Sequence, residues 1–343
     1  MPLNYPPTPI VVHALSPARP FEIFLLYHSK PSSRLSLNFV LLSLLVCFTI
    51  CRMSTLLPKD LSPKMHSRSR DKTNENLADY YSGQKLFGDD FGLEEICEWY
   101  GLEENACFEI YDQGKKKMPN NDYLHWSAGY LWALKGRSSL GKVLGLGSGN
   151  GEEFRPVRKW IEHLFIAESA EGYFHNDATT TYVKAQMDGS LSFPDNFFDT
   201  QVNIAVLHHI PNVSHVLREL FRTLKSGGIC LVKEPITTLG AWHLPRKPGL
   251  APCERGFPRA WLENEVQRTG FEIVRSTFFE FPPLRHLRDR GGVDTYNSKF
   301  WTFVDQLLCA LTNWNYRYHR THWYERLAPS YVFLVLRKPK TAV

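Results

Sequence analysis

Composition alone assigns this chain to very little. Its seven cysteines form no C-x-x-C pair and are odd in number, which argues against a disulfide framework and a zinc site and for reduced thiols in a reducing compartment. No metal ligands are expected. Charge of one sign is also scarce: 40 Lys and Arg against 35 Asp and Glu leave a net +5, too mild for a nucleic-acid-binding domain, so no such partner is expected. Long apolar runs are short as well. Residues 35–51 carry no charge but stop just below the roughly 18 residues that a spanning helix needs.

What the chain does have is Lys142-Val-Leu-Gly-Leu-Gly-Ser-Gly-Asn-Gly151, an apolar run that breaks into glycines at alternate positions before a helix-like segment. Val143, Leu144 and Leu146 read as a buried strand, and Gly147, Gly149 and Gly151 let the backbone turn sharply and approach a ligand. The dinucleotide signature is missing, however. G-x-G-x-x-G would put its third glycine at Glu152, where a carboxylate would repel a pyrophosphate. Beyond the loop, Leu164–Ala167 reads as a second strand ending in Glu168, where an α/β cofactor domain places an acid for ribose hydroxyls.

Further along come Leu191-Ser-Phe-Pro-Asp-Asn-Phe-Phe-Asp199, an apolar strand from Val202 to Leu207, and His208-His209-Ile210-Pro211. Val216–Lys225 has helical spacing, with Val216, Leu217, Leu220, Phe221 and Leu224 on one face; it stops at Ser226-Gly227-Gly228, and the strand Ile229–Lys233 closes on Glu234-Pro235. The order of glycine loop, acidic strand end, F-P-D-N-x-F-D, V-L-H-H-I-P, R-x-L-K-x-G-G and E-P resembles a class I S-adenosylmethionine-dependent methyltransferase over about residues 140–275. The segment Glu234–Pro258, with its Cys253-Glu-Arg-Gly-Phe-Pro258, is similar to a loop in a bacterial-type group associated with surface polysaccharide clusters.

The resemblance implies an α/β fold: a Rossmann-like doubly wound sheet, mostly parallel with an antiparallel last strand, plus a helical, aromatic-rich C-terminal insertion. It implies S-adenosylmethionine as cofactor, bound by Gly145, Gly147, Ser148, Gly149 and Gly151 at the methionine end and by Glu168 at the ribose. Asp188 and Gly189 would meet the adenine, although Asp188-Gly189-Ser190 is also good turn composition. Gly145 departs from the family, most of whose members carry an acid there, and Glu152 or Glu153 is the substitute at hand, beside the plainer reading of helix-dipole pairing. Ile204 lines the cofactor side where amide and base methyltransferases carry the Asn or Asp of an N-P-P-Y-type motif, so methylation of an exocyclic base nitrogen is not expected. His208 and His209, at a strand tip facing the cofactor, are the candidate catalytic residues, histidine being the usual general base near neutral pH. Strand-end packing is their structural alternative.

Outside this half, Gly92–Trp99, Asn121–Leu134 and Ala260–Arg268 read as helices, and Phe271–Phe279 and Tyr331–Arg337 as strands. Residues 283–330 read as a cap over the acceptor site. Within it, Phe300, Val304, Leu307, Leu308 and Leu311 have the spacing of a core-facing stripe. By contrast, Tyr316, Arg317, Tyr318, His319, Arg320, His322 and Trp323 are dense in polar and aromatic groups, as in a platform for sugars, lipid headgroups or single strands.

The organisation expected is a hydrophobic extension over 1–52, a disordered linker over 53–84 and a methyltransferase domain over 85–340. The extension reads either as a membrane anchor or as a segment that the working protein lacks. As an anchor, the bias of Arg52, Lys59, Lys64, Arg68 and Arg70 over Arg19, Lys30 and Arg34 would leave the domain on the cytosolic side; without one, a cytoplasmic enzyme is expected. The function expected is methylation, at oxygen, of a small-molecule or carbohydrate-type acceptor. Two alternatives stay open: a catalytically silent binding module, suggested by Gly145, and a membrane-associated lipid or quinone methyltransferase. Oligomeric state is open.

Overall fold

Alternation of side chains along short apolar strands builds the scaffold. In a computed structural model, residues 74–111, 121–240, 250–251 and 253–340 are described, all within the unit Met53–Val343; the apolar run 35–51 and most of the expected linker lie outside the described residues. Seven strands form one sheet: β1 (Gly141–Leu146), β2 (Ile161–Glu168), β3 (Thr180–Lys184), β4 (Phe198–Ile204), β5 (Leu224–Pro235), β6 (Glu272–Phe279) and β7 (Tyr331–Arg337). Their order is β3-β2-β1-β4-β5-β7-β6. All neighbours among β1 to β5 are parallel, and β7 runs antiparallel to both β5 and β6. The expected mostly parallel sheet with an antiparallel last strand is the one observed.

Helices cover both faces, as apolar strands buried on two sides require. They are α1 (Asn74–Ser82), α2 (Leu93–Tyr111), α3 (Asp122–His125, continued by a π-helical Trp126–Tyr130 and by Leu131–Ala133), α4 (Val213–Thr223), α5 (Arg259–Arg268), α6 (Pro282–Gly291) and α7 (Lys299–Thr312). Leu144, Cys230, Val232, Leu334 and Leu336 pack on one face with Val216, Leu217 and Leu220 of α4 and Leu262 and Val266 of α5. Their neighbours Val143, Leu231, Phe333 and Val335 point the other way, to Leu124, Ala128 and Ala133 of α3. The period of two in the sequence thus becomes two separate cores.

Local chemistry explains where the elements depart from expectation. The segment after the glycine loop is a 3-10 helix, Glu152–Trp160, with Pro156 inside it; proline has no N–H to give to an α-helical ladder. Helix α4 ends at Thr223, because Leu224 is already extended and opens β5. Strand β4 ends at Ile204, where Ala205 adopts φ 56° and turns the chain out. The linker expected over 53–84 is helical in its last part, as α1, and Tyr81 of that helix stacks on His319 at 4.2 Å. No helix among the described residues is long and apolar enough to cross a membrane.

The largest reversal lies in the cap. Thr302, Asp305 and Cys309 are the buried line of α7, whereas Phe300 and Leu311 are 61% and 63% exposed and Leu307 is exposed too. Of the stripe read as core, Val304 and Leu308 do pack half-buried against Phe281, Leu284 and Cys309, whereas Phe300, Leu307 and Leu311 face outward, because Asp305 turns inward to accept the amides of Glu280 and Phe281, both at 2.8 Å. Conversely, Tyr316 and Tyr318 are not a platform. Their hydroxyls donate to the carbonyls of Ile236 (2.8 Å) and Gly256 (2.9 Å), and Arg320 donates to Ser330, Ala328 and Pro329. His322, Trp323 and Tyr324 do remain exposed.

Candidate active site

The strand order reverses between β1 and β4, and in open parallel sheets ligands bind outside the carboxyl ends of the strands at such a point. Two turns flank that crevice: the glycine loop after β1 and the His208-His209 turn after β4. In the loop, Gly147, Gly149 and Gly151 have φ of 58°, 48° and 69°, values that side chains with a Cβ seldom adopt. Gly147 is also constrained by space, since a Cβ would lie 2.3 Å from Val206 Cγ2, at the foot of the histidine turn.

Glu168 ends β2 beside this loop, as expected from its spacing. Its Oε2 accepts the Gly149 amide at 2.9 Å, and Oε1 accepts the amides of Ser169 (2.9 Å) and Ala170 (3.3 Å). The Tyr182 hydroxyl donates to the Gly149 carbonyl at 2.9 Å. Each carboxylate oxygen has two acceptor sites, so Glu168 can hold the loop and still accept from a ligand hydroxyl.

Gly145 has a steric reason. A Cβ there would lie 2.5 Å from Ser148 Oγ and 2.8 Å from the Phe154 ring, so the space of an acid at this position is already filled. Of the two glutamates after the loop, Glu152 is exposed and Glu153 is half-buried. Burial pushes the Glu153 carboxyl up to about 7, against the Ser148 hydroxyl and with Glu168 adding like charge. Asp188 forms the Asx turn that its composition allows: Oδ1 accepts the Ser190 amide at 2.9 Å, and Gly189 takes φ 81°. That bond holds the Asp188 carboxyl below its ordinary range. Ile204 is half-buried at the tip of β4, packed with the α3 core.

The two histidines differ sharply. His208 is buried, with Nδ1 2.7 Å from Glu234 Oε2 and Nε2 3.4 Å from Glu254 Oε1. Burial pulls its imidazole down, but the two carboxylates outweigh that and hold it up at about 9, so it is a poor proton acceptor at neutral pH. His209 places Nδ1 2.7 Å from Glu103 Oε2. A carboxylate only accepts, so Nδ1 donates in this bond, and Nε2 is the nitrogen on the other side of the ring.

Sequence reasoning missed the carboxylates around these rings. Glu234, fully buried, also accepts the amides of Val206 (3.0 Å) and Leu207 (2.8 Å), and Glu103 accepts the Cys253 amide at 2.7 Å. Glu234 and Glu254 were visible only as letters of motifs, and Glu103 carried no signal on a charged helix. Lys233 was missed too: buried at the end of β5, its Nζ lies 3.4 Å from His125 Nε2, and burial pulls it down to about 8.

With this geometry in view, comparison with known proteins is informative over one stretch. Residues 144–232, from β1 through β5, match the family described as methyltransferase domain. The chain carries an S-adenosylmethionine-dependent methyltransferase domain. It is similar to the sterol 24-C-methyltransferase of Neurospora crassa, 32% identical over 119 residues (32% of this chain, 31% of that one). The 24-methylenesterol C-methyltransferase 2 of Arabidopsis thaliana is 27% identical over 160 residues, 41% of this chain and 44% of that one. The chain thus spans less than half the length of these two relatives. Among solved structures, a methyltransferase of Burkholderia thailandensis, crystallised with 1,6-didemethyltoxoflavin and S-adenosylhomocysteine, superposes with a TM-score of 0.45 at 14% identity, over 71% of this chain and 90% of that one.

Proposed function

We propose that this protein methylates, at oxygen, a small-molecule acceptor of carbohydrate type. The methyl-transfer part of the reading is carried by one observation, the Glu168 carboxylate bonded to the Gly149 amide at the β1–β4 reversal, inside a matched methyltransferase domain; the acceptor class rests on the likeness of the Glu234–Pro258 segment alone. The residues present fit the cofactor. Glu168 would take the ribose hydroxyls, Gly147, Ser148, Gly149 and Gly151 the methionine end beside Gly145, and Asp188 and Gly189 the adenine edge near Ile204. Glu153 would supply the carboxylate for the methionine ammonium that Gly145 cannot. When bound, S-adenosylmethionine supplies a sulfonium methyl whose positive charge vanishes on transfer, a reaction that asks the protein mainly for alignment and exclusion of water.

This chain's own part falls to the turn after β4. His208, bonded through both nitrogens, positions the turn; His209 Nε2 would accept the proton of the acceptor hydroxyl as the methyl arrives. A lipid acceptor is the second reading, favoured by the sterol methyltransferases among the relatives and by the run 35–51.

Titration calorimetry of the full chain with S-adenosylhomocysteine tests the site. Glu168→Ala is expected to weaken binding about 100-fold, the scale of two charge-assisted hydrogen bonds; an unchanged affinity in a folded variant would leave the silent binding module. Glu153 gives a second readout. With its carboxyl near 7 in the free protein, most of it is protonated at pH 6.5, and an incoming ammonium would ionise it. Binding should release up to about one proton, seen as a dependence of the heat on buffer, and Glu153→Gln should abolish the release.

A further inference from the structure

We infer that His208, His209 and Glu254 form a binding site for a divalent first-row transition cation. One ligand atom from each of the three lies within 4.8 Å of the others, a spread that small side-chain rotations close onto a single ion. Two imidazoles and a carboxylate are a donor set suited to such metals.

Proximity alone would be weak, since titratable groups often cluster. The carboxylates behind the rings make the stronger case. A metal-ligating histidine almost always gives its other ring N–H to a carboxylate or carbonyl, which fixes ring and tautomer. Here both do: His208 Nδ1 lies 2.7 Å from Glu234 and His209 Nδ1 2.7 Å from Glu103. Both carboxylates are buried and are themselves held by backbone amides, those of Val206 and Leu207 for Glu234 and that of Cys253 for Glu103. Glu254 is oriented through Oε2, which accepts the Ala251 amide at 2.9 Å, leaving Oε1 toward His208 Nε2. The backbone is fixed as well, because Trp99 Nε1 donates to the His209 carbonyl at 2.7 Å.

Charge points the same way. Glu103, Glu234 and Glu254 bring three negative charges into one region, and among the described residues the guanidinium beside them, Arg255, directs its donors to the carbonyls of Phe87, Leu207, His208, Ile210 and Pro211. With neutral histidines the group sums to minus two, the charge a divalent cation balances. In the absence of an ion, a proton between His208 Nε2 and Glu254 Oε1 fills part of that role. The site sits just beyond the tip of β4, where the loop carrying Glu254 meets the His208–His209 turn. Its use in the reaction rests on the methyltransferase reading: three protein ligands leave positions for an oxygen ligand, so the acceptor hydroxyl would bind the cation and lose its proton to solvent water, with His209 Nε2 then serving as a ligand in place of accepting that proton. The site itself does not depend on that reading.

The test uses the full chain stripped with EDTA and titrated with Mn²⁺, followed by loss of the free-ion EPR signal, and with Zn²⁺ by calorimetry. One ion per chain is expected. Glu254→Gln and His209→Gln should each weaken binding about 100-fold, and Glu103→Gln, which touches no ion, about 10- to 100-fold, as for other carboxylates behind metal-bound histidines. Circular dichroism and S-adenosylhomocysteine binding serve as checks of folding. Absence of binding by the wild-type chain, or undiminished binding by folded Glu254→Gln, overturns the site. Cation binding without S-adenosylhomocysteine binding would sustain the site and remove the methyltransferase reading.

Discussion

Helix α7 and the segment that follows it each depart in part, and in opposite directions, from the environment their composition suggests. The helix is apolar at the spacing of a core stripe, yet Phe300, Phe303, Leu307 and Leu311 face solvent; the segment is crowded with tyrosine, arginine and histidine, yet Tyr318 is buried and Arg320 half-buried. What separates them is the supply of partners. The carbonyls of Ile236, Gly256, Ala328 and Pro329 lie in turns at the end of the sheet with no ladder to satisfy them, and the tyrosines and Arg320 reach them. Buried polar backbone must be paired, so a polar segment is drawn inward where such carbonyls wait. For α7 the deciding group is Asp305, which takes the two amides at the Glu280–Phe281 corner, where Glu280 has φ 62°; serving that corner fixes the helix's rotation, leaving Val304 and Leu308 packed at the edge of the core and Phe300, Leu307 and Leu311 outside it.

The contrast can be broken or sharpened by substitution. Arg320→Ala should have the largest effect, about 3 kcal/mol lost in urea denaturation, since it removes charge-assisted hydrogen bonds and strands buried carbonyls; a loss below about 1 kcal/mol would mean the segment is surface after all. Tyr318→Phe keeps the ring and deletes one buried hydrogen bond, so a loss of about 1 kcal/mol is anticipated from the same measurement. Phe303→Ser, on the exposed face of α7, should stay within about 0.5 kcal/mol of the wild type. A clearly larger cost there would show that something covers the face in the folded protein.

The cofactor half was far more legible. Val143, Leu144 and Leu146, the glycine turns, Glu168 at the end of the second strand and the histidines at the tip of β4 all follow from contiguous patterns: apolar runs, positive-φ residues and fixed spacings within strand–turn units. Errors there were of up to five residues at element ends, as where β5 opens at Leu224 and not Ile229, or of helix type, as at Pro156. The histidines' partners were not legible. Glu103 and Glu254 stand more than a hundred residues apart on a helix and a loop, and no local periodicity marks a residue for a distant imidazole. Equally, the difference between His208, closed on both nitrogens, and His209, with Nε2 left over, cannot be read from two adjacent identical letters.

By itself, then, the amino-acid order determined the strands, their turns and the place of the cofactor loop, because φ/ψ preferences and side-chain alternation act between near neighbours. Tertiary structure alone decided which face of α7 is inside, why Gly145 tolerates no side chain and which carboxylates surround His208 and His209. Each of those depends on where a desolvated polar group or a packed ring finds its partner across the fold, and that is settled only when distant segments meet.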